Sequence, residues 1–166
     1  LGFYNGGKVA GSSQPHKHLQ LVPLASAKGA ITLPMAQAIA PHQESLKIAS
    51  QVPNLPFSHS VRVQAWPSLQ NSHQTLANSL LEAYQQIMAD LGIHRQNGRP
   101  SEPYNLLVTR DWMMGVRRSQ ASYKGINVNS LGYAGWLLAK DQSGLEQLKQ
   151  IGPLTLLEKV GYPLGV

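Results

Sequence analysis

The residues best suited to chemistry stand at alternate positions in His16-Lys17-His18-Leu19-Gln20. On a strand, side chains two apart share a face, so His16, His18 and Gln20 project together, about 6.6 Å apart along the chain direction. Lys17, Leu19 and Leu21 then point the other way. On a helix, residues two apart diverge by roughly 200°. Only the strand makes one site of the three polar groups, and the alternation predicts a strand over residues 16–22. Three readings of that face are open. It could bind zinc with a third ligand from His42, His59, His73 or His94, it could be a solvated polar face, or it could receive a nucleotide phosphate.

The segment before the strand favours phosphate. Gly6, Gly7 and the run Ala10-Gly11-Ser12-Ser13 form a small-residue loop. Glycine admits close backbone approach and positive φ. Successive N–H groups in such a loop form a nest for anions. Ser12 and Ser13 add hydroxyls and Lys8 adds charge. A Gly/Ser loop alone is a weak signal, because a plain turn explains it as readily. Its place directly before His-x-His-x-Gln makes it more specific.

The elements that must hold these residues follow from periodicity and breakers. Residues 1–24 read as strand, glycine loop and strand. Residues 23–60 contain Pro23, Pro34, Pro41, Pro53 and Pro56, which exclude a long regular element and leave room for a short helix near 43–50. Val61, Val63 and Ala65 alternate with polar residues and predict a strand ending near Pro67. Leu76, Leu80, Tyr84, Ile87, Met88 and Leu91 recur at helical spacing, with Ser72 to cap the start and Gly92 the end. Residues 93–103 read as loop, 104–109 and 112–117 as strands. Residues 126–129 and 133–139 read as strand or mixed segments broken by Gly132 and Gly135. Two helices close the chain, one near 145–151 and one from Pro153 to a stop at Gly161. The irregular mixture predicts an α+β fold with a mainly antiparallel sheet and flanking helices.

Bulk properties narrow the function. The 166 residues fit one domain. No apolar run approaches the roughly 18 residues that span a bilayer. The chain has no cysteine, which removes thiolate metal sites and is compatible with a reducing compartment, so the cytoplasm is the expected location. The net charge of +6 favours anionic partners. The basic residues are scattered, with only Arg117 and Arg118 adjacent, unlike a nucleic-acid stripe. Trp66, Trp112 and Trp136 read as core or sheet residues rather than nucleobase stackers.

Asn5, the run Gly11-Ser12-Ser13-Gln14-Pro15 and His16-Lys17-His18-Leu19-Gln20 resemble the signature of the histidine-triad nucleotidyl transferases. The uridylyltransferases of that superfamily typically carry Pro between the histidines, where this chain has Lys17. Leu55-Pro-Phe-Ser-His59, Tyr104-Asn-Leu-Leu-Val-Thr-Arg110 and Ile126-Asn-Val-Asn-Ser-Leu-Gly-Tyr-Ala-Gly135 look like the ATP adenylyltransferases. The resemblance runs from Leu1 to about Val160 and is to the C-terminal part of that family. It implies a histidine-triad-like domain without the family's N-terminal strands, opening mid-domain at Leu1, with the transfer motif at residues 5–20 and the C-terminal segment at about 55–166.

The resemblance also implies a reaction, the phosphorolysis of diadenosine tetraphosphate to ATP and ADP. His18 would attack the α-phosphorus, releasing ATP and leaving AMP on the imidazole. Inorganic phosphate would then take the adenylyl group as ADP. His16 would orient the site, and Gln20 would contact phosphate. Asn5, Gly11, Ser12, Ser13, Gln14 and Lys124 would bind nucleotide or phosphate. Arg117, Arg118 and Lys124 read either as neutralisers of the distal phosphates or as a solvated basic face. No cofactor and no metal are implied. Partners would be diadenosine polyphosphates, ATP, ADP and phosphate, with neither membrane nor nucleic acid. The rival expectations are a hexose-1-phosphate uridylyltransferase and a non-catalytic nucleotide-binding remnant.

Overall fold

The structure is a computed structural model that describes residues 1–26, 29–63 and 72–164. Five strands form one antiparallel sheet: β1 (Gly2–Gly6), β2 (Leu19–Leu21), β3 (His59–Val63), β4 (Tyr104–Val108) and β5 (Trp112–Arg117). Their order is β2-β1-β4-β5-β3, so β2 and β3 are the edges. The helices are α1 (Pro34–Ile39), α2 (His73–Asp90), α3 (Ser130–Ala134), α4 (Gln142–Ile151) and α5 (Pro153–Val160). Among the described residues no helix is long and apolar enough to cross a membrane. The α+β expectation holds.

Register explains how the sheet carries two cores. Paired residues of antiparallel strands share a face. Gln20, Phe3, Leu107, Met114 and Val61 therefore form one row, and Leu19, Tyr4, Leu106, Gly115 and Ser60 form the next on the opposite face. Phe3, Leu107, Met114 and Val61 join the larger core with Phe57, Tyr133 and Leu156. The Phe57 and Tyr133 rings meet edge to face at 4.9 Å. On the other face α2 lays Ala83, Ile87 and Met88 over Tyr104 and Met113.

The helix over 73–90 follows from the apolar stripe, and Ser72 caps it as expected, accepting from the amides of Gln74 and Thr75. Its far end is fastened to β3, where Ser60 donates to Asp90 at 2.6 Å and Arg62 pairs with the same carboxylate at 2.6 Å. Gly115 lets the helix approach. A Cβ there would lie 2.4 Å from Ile87 Cγ2 and 3.0 Å from Leu91 Cδ1.

Several boundaries differ from expectation. The proline-rich stretch forms the six-residue α1, with Pro34 in its first turn, then two 3-10 turns at Ala40–His42 and Ser45–Lys47 rather than one helix at 43–50. The strand ending near Pro67 is His59–Val63, and residues 64–71, including Trp66, lie outside the described residues. Residues 95–100 hold a small two-residue ladder where a loop was expected. The mixed segment at 133–139 is in part helix α3. Gly132 sits inside α3 because a Cβ would meet Val128 Cγ1 at 2.8 Å, and Gly135 ends it at φ +102.

Gly115→Val forces α2 away from the sheet. It should lower unfolding stability by about 1–3 kcal/mol, read as a shift in the urea midpoint at unchanged slope.

Candidate functional site

Strand β1 delivers the chain into the small-residue loop. Gly7 and Gly11 take φ +99 and +87, the left-handed region that glycine enters freely. Between them, Lys8–Ala10 forms a 3-10 turn. Closing that turn consumes the loop amides: Ala10 and Ser12 donate to Gly7 O at 3.0 and 3.1 Å, and Gly11 to Lys8 O at 3.0 Å. The expected anion nest of successive N–H groups is thus spent internally. The amides of Lys8, Val9 and Ser13 are the loop N–H groups without an internal acceptor among the described residues. Ser12 Oγ donates to Gln14 O at 2.9 Å, whereas the Ser13 and Gln14 side chains are exposed.

The loop rests on a buried polar cluster that the sequence did not reveal. Arg118 is 0% exposed. Each of its five N–H groups has an acceptor. Nε donates to Val160 O at 3.0 Å, and Nη1 to Ala10 O at 3.3 Å and to Asn105 Oδ1. Nη2 donates to Gln120 O at 2.8 Å and to Val128 O at 3.0 Å. Burial pushes the guanidinium below its ordinary pKa, and the nearby Tyr133 ring opposes this in part. Asn105 completes the link, donating to Ala10 O and to Asn5 Oδ1, both at 2.8 Å. Asn5 Oδ1 also accepts from the Ser130 amide at 2.8 Å. That backbone donor fixes which end of the Asn5 amide is oxygen.

The placement of Arg118 corrects its reading as a phosphate neutraliser, since it is sealed behind the loop. Arg117 lies over the Tyr162 ring at 4.3 Å and 3.7 Å from Glu102 Oε1. Lys124 is exposed, 5.7 Å over the Tyr123 ring. Asn5 keeps its carbonyl inside the protein, so its Nδ2 is the end left for a ligand. Gly11 also has a packing role: a Cβ would lie 2.7 Å from Val128 O.

The histidine motif is only partly strand, and His16 lies in a bend. β2 begins at Leu19, and residues 16–18 precede it, correcting the strand expected over 16–22. The His16 and His18 rings nonetheless meet edge-on with centroids 5.8 Å apart. Gln20 pairs with Phe3, on the face that carries Asn5 and Asn105. Lys17 turns to the opposite face, where it lines a cleft with Tyr4. His16, His18 and Gln20 are exposed and line neither of the two principal clefts. The nearer cleft, about 470 Å³, reaches the loop at Gly11 and extends past Asn129 and Trp136 to Lys140.

The other histidines do not converge on the motif. His59 is buried in β3, its Nε2 accepting from the Val52 amide at 2.9 Å and its Nδ1 2.7 Å from Phe57 O. These bonds place the proton on Nδ1. Among the described residues no three His, Asp or Glu side chains gather as a metal site. Trp112 lies in the core and Trp136 packs against it.

The profile of the ATP adenylyltransferase C-terminal domain matches residues 53–163, more than half of the chain. The chain belongs to this family. Residues 1–41, with β1, the loop and β2, match the Ap4A phosphorylase N-terminal domain. The adenylyltransferase sheet is therefore built across both matches, since β1 pairs with β4. Diadenosine 5',5'''-P1,P4-tetraphosphate phosphorylase 2 of Saccharomyces cerevisiae is 30% identical over 170 residues, covering 90% of this chain and 48% of that protein. Protein APA1 of the same yeast is 27% identical over 183 residues, covering 97% and 52%. The structure of yeast Ap4A phosphorylase Apa2 with AMP superposes with a TM-score of 0.68 at 28% identity, covering 99% of this chain and 56% of that one. The complex of the same enzyme with Ap4A gives 0.62 at 25% identity, covering 98% and 54%. The chain thus spans about half the length of the curated relatives it matches.

Two outcomes test this geometry. Arg118→Met removes five donors and strands Asn105 Oδ1 and the carbonyls of Gln120 and Val128, while Ala10 O keeps Asn105 and Val160 O keeps the Ser119 amide, so chemical denaturation should show a loss of more than about 3 kcal/mol. Burial holds the His59 pKa below that of an unfolded histidine, its bond to Phe57 opposing in part. The unfolded state therefore binds the extra proton first, and the contribution of His59 is lost as pH falls below about 6.5. Stability measured between pH 7.5 and 5 should fall less steeply in His59→Gln than in the parent.

Proposed function

We propose that this chain carries the nucleotidyl-transfer motif of an Ap4A phosphorylase, with His18 as the nucleophile. The observation that carries the proposal is the meeting of the His16 and His18 rings at 5.8 Å, directly after a loop braced from behind by Asn105 and Arg118. The names of the yeast relatives, and the AMP and Ap4A complexes of Apa2, supply the substrate class.

An imidazole is a competent nucleophile near pH 7, its ordinary pKa being about 6.5. A ring nitrogen of His18 bonds to the α-phosphorus of diadenosine tetraphosphate. The bond to the bridging oxygen breaks, and ATP departs with the electron pair. An oxygen of inorganic phosphate then attacks the same phosphorus. The N–P bond breaks, ADP leaves and the imidazole is restored. ATP and ADP are thus bound as products, or as substrates in reverse.

The surrounding groups fit positioning and charge stabilisation. His16, edge-on to His18, orients its ring. Gln20 offers a neutral amide from the sheet face that also carries Asn5, and Asn5 offers Nδ2 because its oxygen is clamped. The Ser13 amide and hydroxyl and the Gln14 side chain are loop donors next to the histidines and within reach of solvent. Gly11 admits the close turn, Ser12 holds it, and Lys124 adds an exposed positive charge for the distal phosphates. We place the reaction in the cytoplasm, which suits a chain without cysteine.

In the enzyme carrying this segment, His18→Ala should reduce phosphorolysis by at least about three orders of magnitude. The parent mixed with α-labelled diadenosine tetraphosphate should retain acid-labile label on protein, and His18→Ala should retain none. Turnover by His18→Ala at the parental rate would remove the nucleophile assignment. Turnover of a labelled UDP-sugar in preference to diadenosine tetraphosphate would reassign the substrate.

A further inference from the structure

The sheet face opposite the Gln20–Asn5 row carries a second cleft of about 580 Å³, between α2, β1 and the ladder at residues 95–100. Its chemistry is one-sided. Lys17, Arg95 and Arg99 line it, and no Asp or Glu does. Its floor is aromatic: the Tyr4 and Tyr104 rings lie 5.6 Å apart, and Tyr84 and Tyr104 lie 6.4 Å apart. Burial raises the Tyr104 phenol above its ordinary pKa, as it does that of Tyr4, so both stay protonated.

The hydroxyls leave donors over. Tyr84 and Tyr104 share one hydrogen bond at 3.0 Å, which engages one of their two protons. The other proton, and that of Tyr4, have no acceptor among the described residues. A cleft with surplus O–H donors, three cations and no anionic acceptor is complementary to an anion. Its ring-lined floor suits a flat apolar body beside that charge.

We propose that this cleft is a second ligand site, distinct from the histidine motif, that takes an aromatic phosphate. The ring packs over Tyr4, Tyr84 and Tyr104, and the phosphate is met by Lys17, Arg95 and Arg99. Three cations with no carboxylate suit a dianion better than a single negative charge. Lys17 is the residue between His16 and His18, so the ligand would touch the same stretch of chain as the transfer motif from the reverse face. This explains a charge that the transfer chemistry leaves unused. The proposal does not rest on the transfer reading, because the two sites share no side chain.

The test is titration of the isotopically labelled chain with 1-naphthyl phosphate, followed by amide chemical shifts. The expected result is saturable shifts centred on residues 81–104 and Lys17. Arg95→Glu/Arg99→Glu, both on the exposed ladder, should weaken binding by at least about tenfold. Neutral 1-naphthol and inorganic phosphate alone should each bind at least about tenfold more weakly, since each satisfies only half of the site. Shifts confined to residues 11–20 would place the ligand at the transfer motif and overturn the proposal. So would equal binding of parent and double variant, or equal binding of 1-naphthol and its phosphate.

Discussion

A buried guanidinium without a carboxylate partner is the constraint on which the site depends. A charge taken out of water costs several kcal/mol unless every donor is met. Arg118 meets that demand with five neutral oxygens, four of them main-chain carbonyls from Ala10, Gln120, Val128 and Val160. Each acceptor must therefore point inward at one place. The turn at Ala10, the segment after β5 and the end of α5 are oriented together by that requirement. The loop before the histidines is held by its reverse side and leaves its outer side open to solvent.

This cluster also joins the two family matches. Ala10 and Asn5 lie in the stretch similar to the Ap4A phosphorylase N-terminal domain, whereas Asn105, Arg118 and Ser130 lie in the stretch similar to the ATP adenylyltransferase C-terminal domain. The hydrogen bonds from Asn105 to Asn5 and Ala10, and the β1–β4 pairing beside them, make one sheet of both. The histidine segment lies in one stretch, and the side chains that brace the loop before it lie in the other.

Local pattern made much of the fold legible. The apolar stripe from Leu76 to Leu91 announced α2, and the segments read as strands at 104–109 and 112–117 are β4 and β5. Pro153 and Gly161 bracketed α5. The side of the sheet to which Lys17 points followed from a period of two. The parts that escaped depend on distant partners. Arg117 and Arg118 are identical as sequence, yet one lies over Tyr162 and the other is sealed under the loop. Gly132 and Gly135 read as breakers, although one is the close-contact residue inside α3 and the other its end. The nest expected from Ala10-Gly11-Ser12-Ser13 failed because amides that close a 3-10 turn have no proton left for a phosphate. β2 is shorter than its alternation suggests because β1 matches it only from Gly2 to Tyr4.

The central claim is that the braced loop and edge strand present one particular imidazole to phosphorus. Its most direct measurement is tandem mass spectrometry of peptides from enzyme quenched during turnover of diadenosine tetraphosphate, kept at alkaline pH to preserve an N–P bond. The account predicts an adenylyl group on His18. An adenylyl group on His16, or an unmodified motif under conditions where the intermediate accumulates, would contradict it.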